Sequence, residues 1–391
     1  MEKSTFKKGS WNFPLYQLTN SQSLSSAPSP FGFAGMAPDW SAIPVDLLRL
    51  IANRVHSIED YVRFGAVCWS WYHATSPKNN NLKSLPWLML ADKENSNSHG
   101  FYSFSSNKIY EFELPEIEKN RCWGSPFGWL VVTDIDNMEI YLFNPLSRAR
   151  ISLPTFNLHN GDSHLQYRSI NKIVISSTPP NCVVMAIYSC YRKLAFAKPG
   201  DQVWSPIGPD NIIGGFSDIT YFKGDFYIAK CTDQLLVCDF SGSDPIAVEF
   251  APSPPGLPNG VKYVVDLEGE LCMVFRYIDI AETQSNVSFE TKTFEVYKLD
   301  MCTKTWKQME SLGDWSLFVG NNYTFSVRGF DNPEFRSNCI YFTHDYSQFS
   351  DQIGGIDSGV YDCKGDEINP LPVSLDLYSV TPPLWITPQL L

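Results

Sequence analysis

Lys223-Gly224-Asp225-Phe226-Tyr227-Ile228 and Glu268-Gly269-Glu270-Leu271-Cys272-Met273-Val274 share one grammar: a turn ending in glycine, then an apolar run. Glycine at the second turn position admits the positive φ that tight hairpins need, and the run after it suits a strand. Phe127-Gly128-Trp129-Leu130-Val131-Val132 repeats the pattern upstream. The glycines at 224 and 269 are about 45 residues apart, and those at 128 and 224 about twice as far. Asn181-Cys182-Val183-Val184-Met185-Ala186 fits the vacant slot, with Asn, also tolerant of φ > 0, in place of Gly. Ser337-Asn338-Cys339-Ile340-Tyr341-Phe342 reads as a later copy, and the polar stretch 278–292 reads as the insertion that delays it.

A second apolar strand trails each copy, at Ile140–Phe143, Leu194–Phe196, Leu235–Cys238, Phe294–Tyr297 and Gly359–Tyr361. Lys108-Ile109-Tyr110-Glu111-Phe112 makes a sixth, with its partner in Phe101–Phe104. A period of roughly 40–50 residues built from several short strands is the signature of a β-propeller, whose four-stranded sheets bury their faces against one another. The repeat predicts six blades, with five and seven as neighbouring counts and a pair of β-sandwiches as the competing architecture. A propeller must close its ring. Pro383-Leu384-Trp385-Ile386-Thr387 is the candidate to pair beside Leu85-Pro86-Trp87-Leu88-Met89 in the first blade, and a central channel is expected.

Upstream of Leu85 the texture is helical. Ile43-Pro44-Val45-Asp46-Leu47-Leu48-Arg49-Leu50-Ile51-Ala52 opens on a proline suited to a first helical position. At 100° per residue, Leu47, Leu48, Ile51 and Val55 share a stripe that leaves Leu50 outside it. Ser57 and Asp60 resemble a capping box for a second helix, and Val67-Cys68-Trp69-Ser70-Trp71-Tyr72 supplies a third, with Phe64, Val67 and Trp71 on one side and Trp69 and Tyr72 on another. Three short helices with apolar groups on several sides cannot cover themselves, because chains below about 40 residues rarely fold alone.

These residues carry a resemblance. The segment resembles an F-box, the helical motif that docks substrate receptors onto the Skp-type adaptor of cullin–RING ubiquitin ligases. Ile43-Pro44-Val45-Asp46-Leu47-Leu48 matches its Leu-Pro-x-Glu/Asp-Leu-Leu opening, with Ile for Leu, and Val67-Cys68-x-x-Trp71 matches its Val-Cys-x-x-Trp closure, with Trp69 where a basic residue is usual. The blocks Gly124–Leu130, Leu142-Phe143-Asn144-Pro145-Leu146, Leu194–Asp201, Asn338–Phe342 and Trp385-Ile386-Thr387-Pro388 are similar to plant F-box proteins with a kelch-like C-terminal domain, although the kelch double-glycine signature is absent. The resemblance implies a small all-α F-box unit followed by a six-bladed kelch-like β-propeller. It also implies a non-catalytic substrate receptor of an SCF-type ubiquitin ligase, bound to a Skp/ASK-type adaptor through Ile43, Pro44, Asp46, Leu47, Leu48, Ile51, Val67, Cys68 and Trp71. Propeller loops would hold a protein substrate whose identity the residues do not give.

The expected layout is a disordered tail at 1–38, the F-box at 39–76, a polar hinge at 77–84 and the propeller at 85–391. Ser21 to Pro30 is rich in Ser and Pro and bare of charge, too polar to bury a core. With 391 residues, 43% of them hydrophobic, the chain is long enough for two or three domains. A net charge of −12 argues against nucleic acid or an anionic membrane as partner. Ten scattered cysteines without a Cys-x-x-Cys pair point to free thiols in a reducing compartment, the cytoplasm or nucleus, and no secretory or membrane-spanning segment is read. Asn286-Val287-Ser288 and Asn322-Tyr323-Thr324 are then chance matches to the glycosylation pattern.

No nucleophile elbow, phosphate loop or dinucleotide fingerprint occurs. His159 and His164 have neither helical metal-pair spacing nor a zinc framework, and no cofactor or metal is expected. Asp134, Asp136, Asp201 and Asp225 fall at turns, where Asp bonds its own backbone. The alternatives to a ligase subunit are a propeller hydrolase or oxidoreductase, and a scaffold that does not ubiquitinate.

Overall fold

A computed structural model describes residues 40–389 apart from short internal stretches, the longest being 76–84, 157–169 and 345–356. The tail at 1–38, the hinge at 77–84, Ser57 and the His159/His164 pair therefore lie outside the described residues. The chain divides into two compact units, Met1–Ile43 and Pro44–Leu391. In the first, the described part is a 3-10 turn, Trp40–Ala42, followed by Ile43. The second holds the helices and the β domain.

The helices are α1 (Val45–Ala52), α2 (Ile58–Gly65) and α3 (Trp69–Ala74). Pro44 stands one position ahead of α1, and its carbonyl accepts the N–H groups of Leu47 and Leu48 at 3.0 and 3.1 Å. α3 packs on both α1 and α2. The interior of this small bundle is Leu48, Ala52, Tyr61 and Ala74, all but closed to solvent. A Cβ on Gly65 would come within 2.7 Å of Thr75 Oγ1, so α2 and the end of α3 meet at a distance only glycine permits.

The β domain is a six-bladed propeller. Blade one contains β1 (Trp87–Met89), β2 (Ser98–Ser103) and β3 (Lys108–Glu113). Blade two is β4 (Arg121–Gly124), β5 (Leu130–Thr133), β6 (Ile140–Phe143) and β7 (Arg150–Leu153). Blade three is β8 (Ile170–Ile175), β9 (Val184–Tyr188), β10 (Lys193–Ala197) and β11 (Ser205–Ile207). Blade four is β12 (Phe216–Phe222), β13 (Asp225–Lys230), β14 (Leu235–Asp239) and β15 (Ile246–Ala251). Blade five is β16 (Val261–Leu267), β17 (Glu270–Glu282), β18 (Val287–Asp300) and β19 (Thr305–Met309). Blade six has five strands, β20 (Trp315–Val319), β21 (Phe325–Arg328), β22 (Cys339–Phe342), β23 (Gly359–Asp362) and β24 (Glu367–Asn369). Finally β25 (Leu384–Ile386) returns to pair with β1, Trp385 opposite Leu88, and closes the ring as expected.

Six apolar clusters hold the ring, each shared by two adjacent blades. Blades one and two join through Trp87, Phe101, Tyr141 and Phe143. Two and three join through Trp129 and Ile173, three and four through Met185 and Phe226, and four and five through Phe222 and Phe275. Val274 and Phe342 tie five to six, and Phe318, Tyr341 and Trp385 tie six back to one. Burying a side chain of this size stabilises by roughly 1.5–3 kcal/mol relative to exposure. The aromatic residues are spent mainly here.

Several expectations are corrected. Lys108–Glu113 is the outermost strand of blade one, and Trp87–Met89 is its counterpart of the repeated glycine-led strand. The turns before β13 and β17 are left-handed at both positions, Lys223/Gly224 at φ 48° and 104° and Glu268/Gly269 at 57° and 78°, as two-residue hairpins require. Asn181 does not take a positive φ. Its turn is held instead by Ser177 Oγ donating to the Asn181 carbonyl and Val183 N–H donating to Ser176 Oγ. The stretch around 278–292, read as an insertion, takes the form of strand: it is the distal half of the β17–β18 hairpin, which pairs out to Glu282 and Val287. The delay before β22 has a second cause in β20, intercalated between β21 and β22 and parallel to the latter. Between β20 and β21 the chain crosses the axis, where a clear channel was expected. Tyr323 N–H donates to the Gly124 carbonyl of blade two at 2.9 Å, and Thr324 Oγ1 donates to Asp218 of blade four at 3.3 Å. Asn322, one of the glycosylation matches, is buried in that crossing.

Candidate functional site

Two surfaces stand out among the described residues. The first is the outer side of the helices. α1 sorts its leucines by helical position: Leu48 and Ala52, four apart, face inward, whereas Leu47, Leu50 and Ile51 face solvent. On and just before α3, Val67, Trp69 and Tyr72 are likewise outside. Together these six are 45–74% exposed. Isolated exposed apolar residues are ordinary; six large ones on about 26 residues are not.

The nine residues expected at the adaptor interface are divided by the structure. Pro44, Asp46, Leu47, Ile51 and Val67 are exposed, while Ile43, Cys68 and Trp71 are half-covered. Cys68 is the N-cap of α3, and Trp71 packs its ring 4.3 Å from that of Phe64. Asp46 pairs with Arg49 at 3.0 Å, an exposed i,i+3 bridge worth at most a few tenths of a kcal/mol. Leu48 is fully buried and serves the bundle's own core. Leu50, Trp69 and Tyr72, left off that list, lie on the exposed side; the signal was their position outside the stripe read for α1 and opposite Trp71 on α3.

The second surface is a cavity of about 500 Å3 at one end of the propeller axis. The axial crossing forms part of its wall through Tyr323 and Thr324, continued by Phe325 and Ser326 of β21. Beneath it Asp218, buried on β12, takes Lys172 Nζ at 2.7 Å on one oxygen and the Val264 N–H at 2.8 Å on the other. Burial pushes the Asp218 carboxyl above its ordinary range, with Lys172 acting against that shift. The Tyr323 hydroxyl lies 2.8 Å from the Thr387 hydroxyl, and burial raises its phenol.

The residues after β25 complete that wall and explain two sequence blocks. Asn144, fully buried, donates through Nδ2 to the Gly128 and Gln389 carbonyls at 3.2 and 3.3 Å while its Oδ1 accepts the N–H groups of Leu146 and Ser147. A Cβ on Gly128 would sit 2.5 Å from Gln389 N, so glycine is required where the closing segment passes. Just before β25, Thr381 Oγ1 accepts Cys122 N–H and donates to the Asn120 carbonyl, and Arg121 reaches the Val380 carbonyl at 2.6 Å.

Among the described residues no three His, Cys, Asp or Glu side chains gather in a metal-site arrangement. Asp134 caps its turn by accepting Asn137 N–H, and Asp201 does the same for Lys198 N–H. All ten cysteines are free, and Cys122, Cys182, Cys238, Cys272 and Cys339 are buried. No helix is long and apolar enough to cross a membrane among the described residues.

A family model described as the KIB1-4 β-propeller matches residues 101–362, more than half of the chain and all but the edges of the ring. The chain belongs to the KIB1-4 β-propeller family. Its relatives carry the other half of the description. The F-box protein SKIP23 of Arabidopsis thaliana is 25% identical over 89% of this chain and 96% of its own length. The F-box/kelch-repeat protein KIB1 of the same plant is 26% identical over 78% of this chain and 77% of its own. Among solved structures, a streptogramin B lyase aligns with a TM-score of 0.34 at 14% identity over 58% of this chain and 69% of that one, too weakly to carry an argument. The KIB1-4 propeller preceded by an F-box-like helical bundle is thus the arrangement of an F-box/kelch-repeat protein.

Proposed function

We propose that this KIB1-4 family member is the substrate-recognition subunit of an SCF-type ubiquitin ligase, active in the cytoplasm or nucleus. Its helical bundle binds a Skp-type adaptor and its propeller holds a protein for ubiquitination. The observation that carries the reading is the exposed side of α1 and α3, where Leu47, Leu50, Ile51, Val67, Trp69 and Tyr72 stand in solvent although the bundle has its own core in Leu48, Ala52 and Tyr61. Such a surface is stabilised by a partner's apolar groove, and interface energy concentrates in a few buried anchors of roughly 2–4 kcal/mol each. The residue pattern and the F-box names of the relatives support a Skp-type adaptor as that partner.

The test is capture of a purified Skp-type adaptor by the full chain. A Leu47→Ala/Ile51→Ala change removes exposed groups without touching the core, and should weaken capture by about 4 kcal/mol, roughly a thousandfold, if the two terms add. The propeller's unfolding transition should not move. Failure of the parent chain to bind any Skp-type adaptor would overturn the reading.

A further inference from the structure

The axial cavity is a built receptacle. Its volume of about 500 Å3 falls within the range of small-ligand pockets. Aromatic rings from three blades line it: Phe127 of blade two, Tyr221 of blade four, and Trp315 and Phe325 of blade six, with Tyr323 from the axial crossing. Among the described residues that line it, the charged ones are Asp266 and Glu268, and none is Lys, Arg or His. Lys223 stands beside the rim, its ammonium donating to the Gly269 carbonyl at 2.6 Å.

The acidic side of the cavity is also fixed in place. Asp266 Oδ1 accepts the Gly269 N–H at 2.7 Å, and the Asp266 carbonyl accepts Ser326 Oγ at 2.7 Å, which ties blade five to blade six at the mouth. Aromatic faces attract a cation through their quadrupoles, and carboxylates beside them supply the counter-charge. Guanidinium fits such a site better than ammonium, since it is planar, stacks on rings, is weakly hydrated and bonds a carboxylate with two N–H groups at once. The molecule's net charge of −12 favours a basic partner in the same sense.

We infer that this cavity receives an arginine side chain presented by an extended segment of the substrate protein. The inference rests on the substrate-receptor reading for the origin of that segment, and on the cavity alone for its chemistry. The arginine enters along the axis, its guanidinium between the aromatic walls and against Asp266 and Glu268, while the segment's backbone stays outside at the mouth.

The experiment is fluorescence anisotropy of labelled Gly/Ser hexapeptides with one central Arg, Lys, citrulline or Glu, titrated with the full chain with and without a purified Skp-type adaptor. The Arg peptide should bind at least about tenfold more tightly than the citrulline peptide, which has the same shape without the charge, and the Glu peptide should not bind. Free ethylguanidinium should compete, which separates recognition of the side chain from recognition of the peptide backbone. Glu268→Gln, on an exposed turn, should weaken the Arg peptide several-fold. Asp266→Asn/Glu268→Gln, which keeps an acceptor for Gly269 N–H, should bring its affinity down to that of the citrulline peptide. Equal binding of Arg and citrulline peptides, or an undiminished Arg peptide in the double variant, overturns the inference. Adaptor capture is scored on the same samples. An intact adaptor complex that ignores arginine sinks the cavity assignment alone, whereas a chain that binds the Arg peptide but no adaptor sinks the ligase reading and keeps the cavity's chemistry.

Discussion

Trp385 and Trp69 show how differently the two parts of this molecule use the same side chain. Trp385 is fully buried in the seam between blades six and one, in edge-on ring contact with Phe318 and Tyr341. Trp69, on α3, is 74% exposed and touches His73 of its own helix. The propeller shares most of its large apolar side chains between neighbouring blades, and those it leaves outside, such as Ile109, Tyr191, Val203 and Ile280, are scattered over several blades. The helical bundle fills a minimal core and leaves the rest outside. An apolar residue inside a ring contributes to the ring's stability; the same residue outside a small bundle contributes little until something covers it.

The contrast can be broken by experiment. The largest effect should come from deleting residues 380–391, which removes β25 and with it the pairing to β1, the Thr381 and Arg121 bonds and the Asn144–Gln389 contact. The truncated protein should be insoluble or lose its cooperative unfolding transition. A truncation that melts like the parent would show that the seam between blades six and one does not depend on the closing strand. Next, Trp385→Ala should cost about 3–5 kcal/mol in denaturant unfolding, as large truncations in a packed interior do. A cost under 1 kcal/mol would put Trp385 on the same footing as Trp69.

Alkali offers a third lever. Burial raises the Tyr141 and Tyr341 phenols from their ordinary 10.0 to about 12, and the Cys272 thiol from 9.0 to about 12. The folded state therefore holds protons that the unfolded chain releases. The stability these groups provide is intact below pH 9 and is lost as pH rises from 9 towards 12. Unfolding midpoints measured from pH 7 to 11 should stay level at first and then fall; a midpoint that rises above pH 9 would contradict the burial of these groups. The smallest effect on stability is expected for Trp69→Ala, within about 0.5 kcal/mol, because an exposed side chain loses little on truncation. The same change should weaken adaptor capture. Unchanged capture would confine the adaptor contact to α1 and Val67.

Much of the ring was legible because its units obey local rules. The glycine-led strands and their trailing partners follow from turn chemistry and period-two apolar runs, and the closing segment could be matched to the first blade because both carry Trp in a short apolar run. Blade six resisted for a physical reason. β20 pairs in parallel with β22, and parallel pairing is set by a long connection and not by a turn, so no short motif announces it. The β17–β18 extension was hidden by its polar residues, since a hairpin with both faces near solvent lacks the apolar alternation of a half-buried strand. In α1, Leu47 and Leu48 are adjacent, and the stripe alone did not decide which of the two faces inward. The axial cavity had no local signature: its aromatic wall comes from residues as far apart as Phe127 and Phe325, brought together only by closure.

That closure has a consequence for how the protein is made. Blade one has its outer strands near the front of the domain, whereas its inner strand, β25, is synthesised after all the others. Until then the Trp87 and Met89 strand has no partner on its axial side, and the seam facing blade six is open. At ordinary elongation rates the five intervening blades take on the order of tens of seconds to emerge. During that interval the nascent chain presents an unpaired apolar edge of the kind that chaperones hold and that other chains can add to. A message cut short anywhere before Leu384 thus yields a chain whose seam stays open.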